Sequence, residues 1–543
     1  MKAEEKDLSS IFADNHIYEI PKYQRPYSWN EDNVSELIND VADAFESNLT
    51  EYFIGSIITI EKGKKIYDIV DGQQRLTTLT LIFAALRNLI VNETAKAEIQ
   101  KKILPINALT DEPEQPRLKV RQKEHLFFYE HILLGKQLDK EHILGEIEQK
   151  FIVNLATIEN YFKEKDETYL KKYANYLLQN VYVVFVNTDS FESAYRLFNV
   201  LNARGLSLSN GDLLKNQLFG IASSELEQSK VEHYWNQLEE IIKIKNLDSF
   251  LGHYRTALKS TKSKKDLYQE YVDYLKENNI SAEEFCKNLV TSSKNYNKLK
   301  NNAFDDNKTK KLVQSLFNVS YDEWIPAVLA YMNNPIDDMS FYEYIELIEK
   351  ITYQNWVRRL GRAKRNTVYY NVISKVNEGT NKEKISSLIY GHTNNTEFFN
   401  LLTSNVYGMS YAKAILLRID SARQDDSVIK TYSGTISIEH VLPQTATDIY
   451  WSSKFNEIEI IENVHKLGNL VLLSGRKNSQ AQNYSFDRKK EIYTRKNETT
   501  SFDLTKEICD TAEWNLEVIQ KRQIELLEFA KELWEIKTYG NTH

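Results

Sequence analysis

Cysteine is nearly absent from the 543 residues: only Cys286 and Cys509 occur, far apart and in no pair motif. That excludes a disulfide scaffold and a Cys-ligated zinc site. No uncharged apolar run reaches the roughly 18–20 residues a membrane span needs. The longest candidate is Leu76–Leu86. Met1–Phe12 holds no apolar core of signal-peptide length, so a cytoplasmic protein with no membrane partner is expected. No Gly-x-x-x-x-Gly-Lys-Ser/Thr stretch exists, which excludes a Walker-type phosphate loop. Internal repeats and low-complexity linkers are missing too. Nor is there a surplus of positive charge: 69 Lys+Arg stand against 77 Asp+Glu, a formal net charge of −8. A uniformly basic nucleic-acid binder is thereby disfavoured, although local patches stay open.

What is present is ordinary globular composition, 42% hydrophobic and 27% charged, which excludes wholesale disorder. At roughly 100–200 residues per domain, the length argues for two to four domains. The predicted architecture is α+β and multidomain: residues 1–225 mixed, 226–425 a helical connector, and 426–543 mixed again with a closing amphipathic helix near Trp514–Ile536. Strands are expected at Tyr52–Glu61 and Lys65–Val70, joined by a hairpin turn, and at Val181–Asn187. Helices are expected at Gln73–Ile90, at Ser193–Leu201, and from about Asn210.

Two constellations carry chemistry. In the first, Asp71-Gly72-Gln73-Gln74-Arg75 sits at a strand–turn–helix junction. A helix N-terminus offers unpaired N–H groups and partial positive charge, which suits a phosphate. Arg75 adds a forked donor, Gly72 permits close approach, and Asp71 has the chemistry to hold a metal or orient a water. The alternative is that Asp71 caps the helix and Arg75 pairs with a surface carboxylate. Upstream, Ile20-Pro21-Lys22-Tyr23-Gln24-Arg25-Pro26-Tyr27-Ser28-Trp29 packs amide, guanidinium and aromatic groups between two prolines.

In the second, a strand over Ile436–Gln444 carries Glu439-His440, and Leu467–Leu473 forms another strand containing Asn469. A loop then reaches Asn478, and a helix follows at Phe486–Arg495. This is the order of a ββα unit. Its chemistry needs a neutral imidazole as base and a hard cation on oxygen ligands. His440 alone reads equally as a satisfied core histidine. Arg476, Lys477, Arg488, Lys489 and Lys490, with Arg358–Arg365, are candidates for a phosphate-tracking surface or for a solvated helix face.

The two N-terminal motifs, followed by Asn199-Val200-Leu201-Asn202-Ala203-Arg204-Gly205 through Asp212 and Lys215, resemble the N-terminal domain of GmrSD-type restriction enzymes over about residues 10–220. The resemblance implies a ParB-like fold that binds and hydrolyses a nucleoside triphosphate (GTP, UTP, CTP or ATP) and senses modified DNA. It implies a nucleotide site of Asp71, Gly72, Gln73, Gln74 and Arg75, with Asn202 and Arg204 lining the other side. Gln24 and Arg25 would stand at the mouth, and Asp212 would cap the following helix.

The second constellation resembles the His-Me finger (HNH) nucleases that partner this domain, over about residues 425–500. That resemblance implies His440 as general base, Glu439 and Asn478 as ligands of Mg²⁺ or Mn²⁺, and Asn469 as holder of the base-bearing loop. Glu439 stands where many relatives have Asp, and Ser474 and Lys477 replace the cysteines of zinc-bearing relatives. His465 and Asn483 are reserve candidates with a structural role expected. The implied function is an NTP-regulated, modification-dependent endonuclease acting on double-stranded, modified phage DNA, with homo-oligomerisation open. Its rivals are a phosphorothioate-sensing nickase and a nucleotide-switched DNA-binding scaffold.

Overall fold

The computed structural model describes residues 2–13, 15–22, 24–63, 65–107, 109–138, 143–189, 209–432, 434–494 and 501–537. The chain forms two compact units, Met1–Ile221 and Ala222–His543.

The first unit is built on a six-stranded mixed sheet in the order β1-β6-β3-β4-β2-β5. Its strands are β1 (Lys2–Asp7), β2 (Ile17–Glu19), β3 (Tyr52–Gly63), β4 (Ile66–Asp71), β5 (Leu118–Lys119) and β6 (Val181–Thr188). The expected hairpin is β3–β4, closed by Gly63 and Lys65 with φ of +109° and +61°. The expected strand at Val181 is β6, which lies between β1 and β3 and buries Val181, Val183 and Phe185. Gly72 ends β4 with φ +89°, and a Cβ there would fall 2.9 Å from the Ser56 carbonyl oxygen. Only glycine allows that left-handed turn so close to a neighbouring strand.

The helix Gln73–Leu89 then begins directly and is buried along almost its whole length. Its threonines fit an apolar core because Thr77, Thr78 and Thr80 donate to the carbonyls four residues back, at 2.8, 2.9 and 2.9 Å. The longest apolar run of the sequence is thus a core helix. Among the described residues no helix is long and apolar enough to cross a membrane. The expected Ser193–Leu201 helix lies outside the described residues, and the next one runs Asn210–Ile221.

In the second unit, residues 225–422 are helical as the charge and glycine patterns suggest. They are followed by β7 (Ile436–His440), β8 (Leu470–Ser474) and a last long helix, Leu516–Trp534. One core runs through both parts: Tyr353, Phe398 and Leu416 from the helical stretch meet Leu470, Leu472, Leu526 and Trp534. The Tyr353 and Trp534 rings stack at 5.1 Å, and Gln354 Nε2 donates to the Trp534 carbonyl at 3.1 Å. The division expected at 425/426 therefore runs through a single core, and 226–425 is no separate connector. Amphipathic helices on both sides of that point gave composition nothing to register.

Gly468 marks the tightest approach, since a Cβ there would lie 2.5 Å from the Ile519 carbonyl oxygen and 2.9 Å from Gln523 N. Gly252 sits inside the helix Leu247–Lys259 with open space around it. The same substitution should therefore act in opposite directions. Gly468→Ala should cost about 2 kcal/mol or more through overpacking, whereas Gly252→Ala should gain ~0.5–1 kcal/mol of helix stability. Denaturant unfolding of the two variants checks both signs.

Candidate functional site

In the first unit the glutamines of the two motifs bind each other and the backbone. Gln24, 2% exposed, donates through Nε2 to the carbonyls of Val70 at 2.9 Å and Ile69 at 3.3 Å. Its Oε1 accepts from Gln73 Nε2 at 3.1 Å. Gln74 Oε1 accepts from Ser28 N at 2.7 Å and Trp29 N at 3.3 Å, and its Nε2 donates to the Pro26 carbonyl at 3.2 Å. Tyr27 and Thr78 hydroxyls meet at 2.8 Å beneath them. The three amides thus fasten the proline-flanked loop to the end of β4 and the start of the buried helix. Gln24, expected at the mouth of a nucleotide site, is buried among the described residues, and its amide supplies hydrogen bonds that the buried end of β4 requires.

The charged residues are left beside this clasp. Arg75 Nη1 donates to the Ser56 carbonyl at 2.7 Å, and its guanidinium packs where a Cβ on Gly55 would be. Burial pushes the Asp71 carboxyl up, opposed by hydrogen bonds from Gly72 N–H and Ser56 and by the charges of Arg75 and Arg25. Burial likewise raises Asp212, opposed first by Arg25. Arg25 thus faces both carboxylates, while its buried Nε has no hydrogen-bond partner among the described residues. Asp212 takes up the expected capping role: its Oδ2 accepts from Ser209 N at 3.1 Å and Ser209 Oγ at 2.9 Å. The cavity beside Arg25, Gln73, Gln74 and Arg121 is about 10 Å³, room for one water. Asn202 and Arg204 lie outside the described residues.

In the second unit β7 and β8 pair antiparallel, with His440 opposite Leu470 and Ile436 opposite Ser474. The helix Gly475–Ala481 follows β8 immediately, capped by Ser474. Asn478 therefore sits on a helix and not on the expected loop, and its Nδ2 lies 3.5 Å from the Ile438 carbonyl oxygen on β7. The expected later helix is also present, at Phe486–Tyr493.

Asn469 is fully buried and holds the chain reversal after His440. Its Oδ1 accepts from Leu442 N at 2.8 Å and Trp514 Nε1 at 3.1 Å. Its Nδ2 donates to the carbonyls of Leu442 and Val464, both at 2.9 Å. All four hydrogen bonds of the amide are made internally, so Asn469 is a positioning residue.

His440 Nε2 lies 3.1 Å from His465 Nδ1, and Gln444 Nε2 approaches His440 Nδ1 at 3.3 Å. The Tyr407 ring stands 4.1 Å from the His440 ring and stacks on His465 at 5.4 Å and 9°. Burial, then His465, then Lys489 push the His440 pKa down to about 3. The imidazole is neutral at physiological pH, the form a general base requires. His465, held in reserve on sequence grounds, is thereby part of the site. Tyr407 comes from the helical stretch and carries no local motif to reveal it.

Glu439 faces inward. Its Oε1 accepts from Lys489 Nζ at 2.7 Å and Tyr493 OH at 2.9 Å, and the same ammonium donates to the His440 carbonyl at 2.7 Å. Burial drives the Glu439 pKa up and the Lys489 pKa down, each resisted by the other's charge. Lys489 is fully buried, so it does not belong to a phosphate-tracking surface. Lys477 is also internal, its Nζ on the Tyr493 carbonyl at 2.9 Å. Arg358 pairs with Glu397 and Arg365 with Glu323, both at 2.7 Å. Of that run only Arg359, Arg362 and Lys364 point outward. Among the described residues no three His, Cys, Asp or Glu side chains gather as a cation site.

Two consequences are measurable. In metal-free protein the His440 imidazole, followed by NMR, should stay neutral from pH 8 down to pH 5, because its depressed pKa leaves the unprotonated form in place. A titration near 6.5 would contradict the burial described. Lys489→Met should cost about 3–5 kcal/mol of stability, since it strands the Glu439 carboxylate, and Glu439→Gln in the same chain should recover part of that loss.

The chain matches the family model of the GmrSD restriction endonuclease N-terminal domain over residues 8–219, and that of the GmrSD restriction endonuclease C-terminal domain over residues 393–529. The second match begins upstream of the expected boundary and takes in Tyr407. No curated protein matches the chain. With both domains in order on one chain, it belongs to the GmrSD-type restriction endonucleases.

Proposed function

We propose that this restriction endonuclease is an NTP-regulated, modification-dependent enzyme that cuts double-stranded phage DNA by a His-Me finger mechanism. The observation that carries the reading is His440: a neutral imidazole at the end of the first strand of a ββα unit, fixed by Asn469. Assigning the Nε2 proton to the bond with His465 Nδ1 leaves Nδ1 as the base. The water it activates must displace the longer contact, to Gln444. Nδ1 takes a proton from that water as its oxygen bonds to phosphorus. One ester P–O bond breaks, and the leaving oxygen takes a proton from solvent.

Asn478 Oδ1 has no hydrogen-bond partner among the described residues, and Glu439 stands on the adjoining strand. Asn478 is an oxygen donor suited to Mg²⁺ or Mn²⁺, and Glu439 would join it only by giving up its bonds to Lys489 and Tyr493; the ion would supply Lewis-acid stabilisation of phosphate charge. In the first unit, Arg25, Arg75 and Asp71 are the side chains left for a nucleoside triphosphate, with Asn202 and Arg204 as further candidates. Gln24, Gln73 and Gln74 shape that site through the backbone.

His440→Ala should lower DNA cleavage by ~10²–10⁴-fold while NTP hydrolysis persists. EDTA should stop cleavage, and Mg²⁺ or Mn²⁺ should restore it. Arg75→Ala should weaken NTP binding by calorimetry and change the response of cleavage to NTP. Undiminished cleavage by His440→Ala would sink the nuclease assignment, and unchanged NTP affinity in Arg75→Ala would sink the nucleotide site.

A further inference from the structure

A polar cavity of about 160 Å³ lies in the second unit, between the helices Asn307–Phe317 and Ala412–Ala422 and the first residue of β7, Ile436. Three cations line it, Lys311, Arg418 and Lys430, and no carboxylate does. Lys430 is matched by Asp503 at 2.7 Å. Lys311 is not closely matched: its Nζ donates to the carbonyls of Gln424 and Asp425 at 2.9 and 3.0 Å, and exposed Asp426 stands 3.9 Å away.

Arg418 is nine-tenths buried and gives only its Nε to a partner, Glu349 Oε1 behind the wall, at 3.0 Å. Among the described residues its two Nη groups, the Asn318 amide and the Ser421 hydroxyl have no hydrogen-bond partner. Arg418 is the buried member of the set; Ser421 is part-buried and Asn318 lies at the exposed rim. A guanidinium fork whose Nη groups are not spent on protein acceptors matches the oxygens of a phosphate. Burial also pushes the Lys311 pKa down, and the like charge of Arg418 adds to that; an anion between them would relieve it.

We propose that this cavity binds a phosphate group, free or at the end of a small nucleotide. The volume is many times the ~10–15 Å³ that admits one water, enough for phosphate or pyrophosphate. The wall includes Tyr432 and Ile436, so a bound anion would brace the segment that leads into the strand carrying His440.

The test uses the full chain in metal-free buffer, titrated by calorimetry with inorganic phosphate, pyrophosphate and GMP. One site is expected, with affinity at least tenfold weaker in Ser421→Phe, which fills the cavity without touching an ion pair. Asn318→Leu, milder in volume, gives the same reading if Ser421→Phe does not fold. Binding of inorganic phosphate identifies the free anion as sufficient, and binding of GMP alone identifies a nucleotide's phosphate. Binding of none of the three, or binding that both cavity variants leave intact, overturns the proposal.

Discussion

One side-chain amide fixes the geometry on which the nuclease half depends. Asn469 joins three separate pieces of chain: the reversal after His440, the turn at Val464 and the indole of Trp514. Each bond is buried, and a buried amide with every donor and acceptor satisfied tolerates little displacement, because a broken bond would leave its partner unpaired. His440 therefore leaves β7 in one direction. The backbone of Leu516–Trp534 presses on Gly468, the residue next to Asn469, so the last long helix reinforces the same turn.

The first unit uses the same device with three amides in place of one. Gln24, Gln73 and Gln74 exchange hydrogen bonds with one another and with the backbone, closing a loop over the start of a helix that the left-handed Gly72 allows to begin there. Arg25, Arg75 and Asp71 lie beside this clasp, and Asp212 is spent on Ser209 at the start of its own helix. In the second unit the buried pair Glu439–Lys489 costs desolvation on both sides. Its effect is specificity of arrangement: the ammonium ties the carboxylate and the His440 carbonyl together, setting the end of β7 against the helix Phe486–Tyr493.

What the sequence made legible is what local chemistry determines. The β3–β4 hairpin and the helix that starts at Gln73 follow from residues a few positions apart, and the two strands and the helix around His440 each follow from their own short run. The expectation that Asn469 holds the loop after His440 came from resemblance; in the structure its amide bonds the backbone of Leu442 and Val464. Contacts across long separations were not legible. Tyr407 meets His440 from 33 positions upstream, and Lys489 meets Glu439 across 50. A basic residue in a charged run looks the same whether it tracks phosphate or is spent inside the fold; Lys489 neutralises the buried Glu439 carboxylate, and Lys477 donates to the Tyr493 carbonyl. The shared core around Tyr353 and Trp534 was hidden for the same reason, since helices of similar composition lie on both sides of the expected boundary.

The central claim is that Asn469 serves the reaction through His440 alone. Single-turnover DNA cleavage by Asn469→Ala, His440→Ala and the double variant tests it as a cycle. If Asn469 only positions His440, the double variant should be no slower than His440→Ala by itself. Losses that multiply in the double variant would contradict the account, because Asn469 would then be acting on the substrate by a route independent of the base.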